Sequence, residues 1–269
     1  MRTQRISVNL VVGVLTLTLA ACGGGPTVAE PTQAAALPAE TPTATTTAPT
    51  GLCANPLFPV VQGATWTYKL TGGPSGEFTY TDTITEVREN GFTVTSLFDF
   101  EPDDLTRTHE WRCTPEGLVA LSYGGAGSIG LSTQDLSAEF ITSNITGVTI
   151  PSNITPGMTW PYGLNVDGDM KLPDGRTATA TGTLTLNFQE AGTESVTVPA
   201  GTFDATRIEM ASNFNFTAAF EGVDIPMQIT GTSTLWYAPG VGLVKSTETG
   251  NMGGAPVSST TELQSYSIP

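Results

Sequence analysis

The sequence predicts an all-β fold in which long, curved antiparallel sheets form a sandwich or a half-barrel, with at most one or two short helices. Residues 177–188 alternate between mostly threonine on one face and mostly apolar side chains on the other, which is typical of a half-buried strand. The segment 78–85 alternates in the same way. Turn signals such as Asn90-Gly91 and Pro239-Gly240 separate the predicted strands.

Strands are predicted over most of the chain beyond residue 63. The segment 177–188 exceeds the usual strand length of about five or six residues, and strands of that length are common in curved or closed sheets. A short helix is predicted at 132–141, because Ser132 and Asp135 have the spacing of a capping box. Further strands are expected at 64–70, 91–98, 105–112, 117–123, 193–199, 203–210, 213–220, 227–237, 241–248 and 257–267.

The N-terminus has the pattern of an export signal. Arg2 and Arg5 precede an uncharged, mostly apolar stretch over residues 6–21, which is short for a membrane span and suits a secretory signal. Leu19-Ala20-Ala21-Cys22 resembles the lipobox of bacterial lipoproteins. That resemblance implies a signal peptide at 1–21, acylation of Cys22 and a lipid anchor that holds an extracytoplasmic domain at the membrane. The alternative is an ordinary secretory signal followed by an unrelated cysteine.

Residues 22–50 are predicted to be a tether between the lipid and the folded part. The segment is rich in Pro, Thr and Ala and has no aromatic residue. Such a composition cannot bury enough apolar surface to offset the entropy of ordering. The ectodomain is therefore expected at residues 51–269.

The charge balance excludes some classes of partner. Loss of the two signal-peptide arginines would leave 8 basic and 25 acidic residues. Nucleic acid and anionic headgroups would be repelled by that excess of negative charge. We therefore expect contact with the membrane only through the lipid, no nucleic-acid partner and no cofactor, and a protein or hydrophobic ligand of unknown identity.

Cys53 and Cys113 are predicted to form a disulfide, because Cys22 is assigned to the lipid and exported compartments maintain disulfides. Two separate buried thiols are the alternative. Two cysteines and one histidine make a poor zinc site, because zinc usually takes four ligands.

A faint internal repeat suggests a duplicated β-meander. Residues 63–68 (Gly-Ala-Thr-Trp-Thr-Tyr) match residues 157–162 (Gly-Met-Thr-Trp-Pro-Tyr). Trp111 and Trp236 are each followed six residues later by Gly-Leu-Val. The repeat halves would be residues 53–150 and 151–269.

Three segments carry a family resemblance: residues 53–68 from Cys53-Ala54-Asn55-Pro56 to Tyr68, residues 198–205 (Val-Pro-Ala-Gly-Thr-Phe-Asp-Ala) and residues 236–245. Together they resemble an uncharacterised family of bacterial exported lipoproteins whose domain has no known function. A long curved sheet on a lipid anchor is also similar, at the level of fold, to half-barrel lipoprotein carriers that hold acyl chains.

Two motif matches do not support a catalytic site. Residues 125–130 fit GxGxxG, but that motif needs a βαβ unit, which these β-rich surroundings do not provide. Residues 126–130 differ by one residue from the GxSxG elbow, which needs a later histidine, whereas the single His109 comes earlier. No catalytic residue is predicted.

Acidic loops are weak candidates for a calcium site, since calcium prefers oxygen ligands. The first contains Asp99, Glu101, Asp103 and Asp104, and a second contains Asp167 and Asp169. A solvated acidic loop is the alternative for both.

The leading functional hypothesis is a non-catalytic, membrane-anchored binding or structural module. A carrier of a lipid or another hydrophobic ligand is the alternative, and a carboxylate-based hydrolase is the second alternative. A carrier would use an apolar groove on one face of the sheet, whereas closure of that face would give an ordinary sandwich core. The groove residues would be Ala178, Ala180, Leu184, Phe214, Phe216, Met227 and Ile229.

Overall fold

The computed structural model describes residues 51–73, 76–100, 104–122, 124, 138–171, 176–252 and 255–269. The predicted signal peptide, Cys22 and the tether lie outside the described residues. Among the described residues the chain forms thirteen strands and no helix. The strands are β1 (Thr65–Gly72), β2 (Phe78–Arg88), β3 (Gly91–Asp99), β4 (Leu105–Thr114), β5 (Gly117–Ala120), β6 (Ala138–Gly147), β7 (Ile150–Pro151), β8 (Thr159–Lys171), β9 (Thr177–Val198), β10 (Gly201–Phe220), β11 (Val223–Ala238), β12 (Gly242–Met252) and β13 (Ala255–Ser267).

All of these strands belong to one antiparallel sheet, in the order β6-β8-β9-β10-β11-β12-β13-β1-β2-β3-β4-β5-β7. The prediction of an all-β fold with a long, curved antiparallel sheet is confirmed. Most neighbours in the sheet are also neighbours in sequence, as expected for hairpins. The long-range pairing of β13 with β1 joins the two runs of hairpins into a single sheet.

The two edges of this sheet meet without forming a continuous ladder. β6 pairs with β8 and β7 pairs with β5, yet only Val148 and Thr149 separate β6 from β7. The Thr149 backbone nitrogen donates to the Leu118 carbonyl at 2.9 Å, and its hydroxyl oxygen accepts from the Ala120 nitrogen at 3.0 Å. The sheet is therefore curled until its edges come together, although it is not closed into a barrel.

Alternation along the strands gives the curled sheet an inner and an outer face. On β10, Ile208, Met210 and Phe214 are buried, and we call the face that carries them the inner face. The opposite face is rich in threonine, with hydroxyl contacts such as Thr232 to Thr249 at 3.0 Å. The largest apolar cluster lines the inner face from β1 to β13, so the core lies inside the curl.

The segment before β1 packs onto one end of the core. Phe58 stacks against Trp66, Phe92 and Trp111 with ring centroids 5.5 to 6.0 Å apart. Cys53 is bonded to Cys113 on β4, which confirms the predicted disulfide. Stacked aromatic rings and a covalent link therefore fix this segment to the sheet.

Several expectations about local structure are wrong. The predicted helix is wrong over residues 138–141, which lie in β6 and pair with β8; residues 132–137 lie outside the described part. The sequence predicts two strands within 177–199 and two within 203–220. The structure has one continuous strand in each region, β9 and β10. The register shifts instead between Thr206 and Ile208, opposite Gly192 at φ +107°. A glycine that resembles a turn signal therefore lies at a bulge.

The two strand runs β1–β5 and β8–β12 have matching features. Trp66 and Trp160 are each the second residue of their strand. Trp66 donates from its indole nitrogen to the Val241 carbonyl at 2.6 Å, and Tyr68 donates to the Leu243 carbonyl at 2.9 Å. Both acceptors lie at or beside the start of β12, in the second run.

The second run makes the same kind of contact in return. Trp160 donates to the Thr149 carbonyl at 3.3 Å, and Tyr162 donates to the Ala120 carbonyl on β5 at 2.8 Å. Each Trp-x-Tyr pair thus binds the region around the last hairpin of the other run. The duplication and the halves 53–150 and 151–269 stay predictions, and this reciprocal contact agrees with them.

Candidate functional site

The predicted groove residues lie together on the inner face of β9, β10 and β11. Phe216 pairs with Gly182 on one side and with Met227 on the other, and Phe214 pairs with Leu184 and Ile229. Most members are buried, namely Ala178, Ala180, Leu184, Phe214, Phe216 and Ile229, whereas Met227 is 37 % exposed. We call this set the apolar strip; its role as a groove stays a prediction.

Glycine at position 182 brings two strands of the apolar strip into close contact. A Cβ atom at Gly182 would lie 2.5 Å from the Phe216 Cβ and 2.6 Å from the Asn215 carbonyl oxygen. No real side chain tolerates such distances, so the approach of β9 to β10 depends on glycine here. The rings of Phe214 and Phe216 stack beside it with centroids 4.8 Å apart.

The apolar strip ends in an exposed apolar rim. Val223, Ile225 and Met227 follow the inner-face register of β11 and are 60 %, 47 % and 37 % exposed. The pairing of β12 with β11 extends only to Ile229. Apolar side chains on one face at the free end of a strand mark a surface suited to a hydrophobic ligand or partner.

A second group of inner-face residues is polar and was not predicted. We call it the polar belt; its members lie on β3, β2, β13, β12 and β11, whereas β1 between β2 and β13 has Trp66 opposite Asp82 and Leu70 opposite Thr261. Ser96, Thr261, Ser246 and Ser233 are each no more than 6 % exposed. The members are Ser96 on β3, Tyr80 and Asp82 on β2, Thr261 on β13, Ser246 and Glu248 on β12 and Ser233 on β11.

Asp82 is a carboxyl group of the belt with a shifted pKa. Ser96 donates to its Oδ1 at 2.5 Å. Burial raises the pKa of Asp82 to about 6, and the Ser96 hydrogen bond opposes that rise. A half-buried carboxylate that is still mostly ionised at neutral pH destabilises the fold, which is typical of groups retained for function.

Tyrosine rings surround this carboxyl group. Tyr80 stacks on Tyr68 with centroids 5.1 Å apart. Burial raises the pKa of Tyr80, with smaller contributions from the charges of Asp82 and Glu248 and from Tyr237. Burial raises the pKa of Tyr237 to about 12. Tyr80 therefore interacts electrostatically with Asp82 on its own strand and with groups on β11 and β12.

Asp82 should lower the stability of the folded protein at neutral pH but not in acid. Its folded pKa, about 6, exceeds the ordinary value of 3.8, so the folded state binds the proton more tightly and this contribution disappears as pH rises from about 4 to 6. Asp82→Asn should raise the free energy of unfolding at pH 7.5 by about 1–3 kcal/mol, measured by urea unfolding. The gain should vanish near pH 4.

The exposed carboxyl group of Asp204 is the matched control. Asp204→Asn should change the free energy of unfolding by less than about 0.5 kcal/mol at both pH values. Equal effects of the two substitutions would contradict the assignment of a raised pKa to Asp82.

The remaining sequence candidates do not come together among the residues that the structure describes. Asp99 and Asp104 are exposed at the ends of β3 and β4, and Glu101 and Asp103 lie outside the described residues. Asp167 and Asp169 lie on β8 opposite Thr181 and Thr179. In the part of the chain that the structure describes, no three His, Cys, Asp or Glu side chains could hold a metal ion. The second acidic segment is part of a strand and not a loop, and calcium binding at either segment stays a prediction.

His109 lies on the inner face of β4, with its Nδ1 atom 3.2 Å from the Ser122 hydroxyl. Burial lowers its pKa, with a smaller contribution from Arg107. Among the described residues, the neighbours of His109 in this pair are the Ser122 hydroxyl and Arg107, and neither supplies the acid of a hydrolytic triad.

The sequence belongs to a family that can be recognised. A family model described as DUF3108-like matches residues 129–263, just over half of the 269 residues. The chain belongs to the DUF3108-like family. This family is a domain of unknown function, in agreement with the resemblance drawn from the sequence motifs, and the matched region contains the apolar strip and part of the polar belt.

Solved structures of other proteins are similar to this DUF3108-like protein. A protein from Parabacteroides distasonis inferred to be a lipoprotein is 18 % identical with a TM-score of 0.50, over 80 % of this chain and 99 % of that one. A protein from Bacteroides fragilis inferred to be exported, with a YmcC-like fold, is 16 % identical with a TM-score of 0.46, over 78 % and 98 %. The hypothetical lipoprotein YmcC from Escherichia coli is 13 % identical with a TM-score of 0.29, over 77 % and 85 %.

Among curated proteins, none matches the sequence of this DUF3108-like protein. Within the described ranges, none of the elements is a helix long and apolar enough to cross a bilayer.

Proposed function

We propose that this protein is an exported, lipid-anchored lipoprotein that binds a hydrophobic ligand without catalysis, on the apolar strip of its inner face. The observation that carries the proposal is the continuity of the strip with the exposed rim of Val223, Ile225 and Met227. A purely structural module would gain nothing from apolar side chains left in water on the inner face.

The small residues of the strip support a ligand with a slender apolar chain. Ala178, Ala180 and Gly182 follow one another on the inner face of β9 opposite Ala218 and Phe216 of β10. Side chains this small would let a slender apolar chain lie close to the strand, and ligand pockets are mostly apolar. The name of the Parabacteroides distasonis neighbour, which is described as a lipoprotein, supports the anchored location.

Membrane attachment should depend on Cys22. Cys22→Ala should abolish incorporation of radiolabelled palmitate and release the protein from the membrane fraction, because several acyl chains provide the anchoring energy. Cys53→Ala is the control and should remain labelled. Labelling of the Cys22→Ala variant would remove the lipoprotein assignment.

Ligand binding should be detectable in protein purified from cells. Solvent extraction of the non-acylated Cys22→Ala chain should release lipid detectable by mass spectrometry, and a fluorescent fatty acid should bind at micromolar concentration. Ala180→Phe should block binding by filling the strip, whereas Thr181→Phe on the outer face should not. An empty extract together with no binding of the fatty acid would overturn the carrier proposal.

A further inference from the structure

We propose that the polar belt is a subsite for the charged end of the ligand, and that this end carries a positive charge such as an ammonium group. The inference rests on the proposed function, because the apolar strip would hold the remainder of the same molecule. Asp82 and Glu248 would supply the negative charge, and the rings of Tyr68, Tyr80 and Tyr237 would surround the ligand.

An unpartnered hydroxyl indicates that the belt is built to contact something further. Ser233 is 3 % exposed, and its Oγ atom has no hydrogen-bond partner among the described residues. A buried hydroxyl in that condition destabilises the fold, because no hydrogen bond offsets its loss of water. Its register partner on β12 is Glu248, so the free hydroxyl lies beside a belt carboxylate on the inner face.

The polar belt is continuous with the apolar strip. Along the inner face of β11, Ile229 of the strip is followed by Gly231 and then by Ser233 of the belt. Gly231 pairs with Gly250 on β12. No side chain therefore separates the strip from the belt on these two strands, and a single elongated molecule can contact both.

The charge of the belt favours a cation. Asp82 forms no ion pair within the described residues and accepts its hydrogen bond from the neutral hydroxyl of Ser96. Glu248 accepts a long hydrogen bond of 3.5 Å from Ser259. Two carboxylates in a partly desolvated space attract a cation more strongly than surface carboxylates do, because the local dielectric constant is lower.

The aromatic rings add a second attraction for a cation. Tyr68 and Tyr80 stack beside Asp82, and Tyr237 and Glu248 both contribute to the electrostatic environment of Tyr80. Ring faces attract ammonium groups, and cages of aromatic residues recognise them in other proteins. The inner-face cation Arg107 lies on β4 opposite Ser96, at the end of the belt away from Ser233.

The test compares two amphiphiles with the same decyl chain, decyltrimethylammonium and decanoate, by titration calorimetry on the full chain below their micelle concentrations. The wild-type protein should bind the cation at least about tenfold more tightly, equivalent to about 1.4 kcal/mol. Asp82→Asn and Glu248→Gln should each remove most of this preference. Asp204→Asn, which removes an exposed carboxylate, should retain it.

The outcomes separate the two proposals. If both amphiphiles bind equally, the charged subsite is overturned and the apolar carrier stands. A preference that survives Asp82→Asn and Glu248→Gln would arise from the overall negative charge and would also overturn the subsite. If neither amphiphile binds, both proposals fall.

Discussion

Replacing Trp66 by alanine should lower the free energy of unfolding by about 3–5 kcal/mol, the usual loss for a large aromatic side chain removed from a core. Trp66 is 2 % exposed and stacks on Phe58. Its indole nitrogen also donates to the Val241 carbonyl at 2.6 Å, so the substitution leaves a buried acceptor unpaired. Urea unfolding followed by circular dichroism measures the loss.

The control uses the same amino acid on the other face. Trp236 is half-buried and donates to Glu194 Oε1 at 2.5 Å, in a hydrogen bond exposed to solvent. Trp236→Ala should cost about 1–2 kcal/mol, because less area leaves contact with the protein. Trp66→Phe should fall between the two values, since it retains the ring stacking and loses the hydrogen bond. Equal losses for Trp66→Ala and Trp236→Ala would contradict the two-faced description of the sheet.

Removal of the disulfide should destabilise the protein by about 4 kcal/mol in the chain-entropy model. The bond joins residues separated by 60 positions, and it links the segment before β1 to β4. For a domain of this size the loss corresponds to a fall in Tm of about 8–16 °C. Differential scanning calorimetry of the Cys53→Ser/Cys113→Ser variant measures it.

Two further measurements test the same bond. Alkylation without reductant should leave both cysteines unmodified in an intact-mass measurement, and two adducts would refute the bond. Reductant should lower the Tm of the wild-type protein towards that of the double variant, whose own Tm should not respond. An unchanged wild-type Tm after complete reduction would contradict a stabilising role.

The sequence predicts the strands best where alternation is regular. Residues 177–188 alternate cleanly, and the pattern continues through β9 into its pairing with β8 and β10. β8 was missed because it contains Asn165, Gly168 and two aspartates, which resemble a turn in isolation. These residues form a strand because two neighbouring strands supply hydrogen bonds on both sides, and a single sequence does not contain that information.

The two parts of the candidate site differ in how well a sequence can indicate them. The apolar strip follows from period two within β9, β10 and β11, so its members share a face once the strands are known. The polar belt brings together Ser96, Asp82 and Ser233 from distant strands. In the sequence Asp82 and Ser233 each lie between two threonines, so each resembles an ordinary surface residue. Only the pairing of β13 with β1 places these strands in one sheet.

That pairing also determines when the protein can finish folding. Among the described strands β1 comes first in the chain and β13 comes last, with register pairs such as Thr65 and Ser267. During synthesis from the N-terminus, one side of β1 has no partner until β13 has been made, so an exposed strand edge persists for most of that time. Contacts this distant in sequence also slow folding. The nascent chain would depend on protection from aggregation until β13 has been made and pairs with β1.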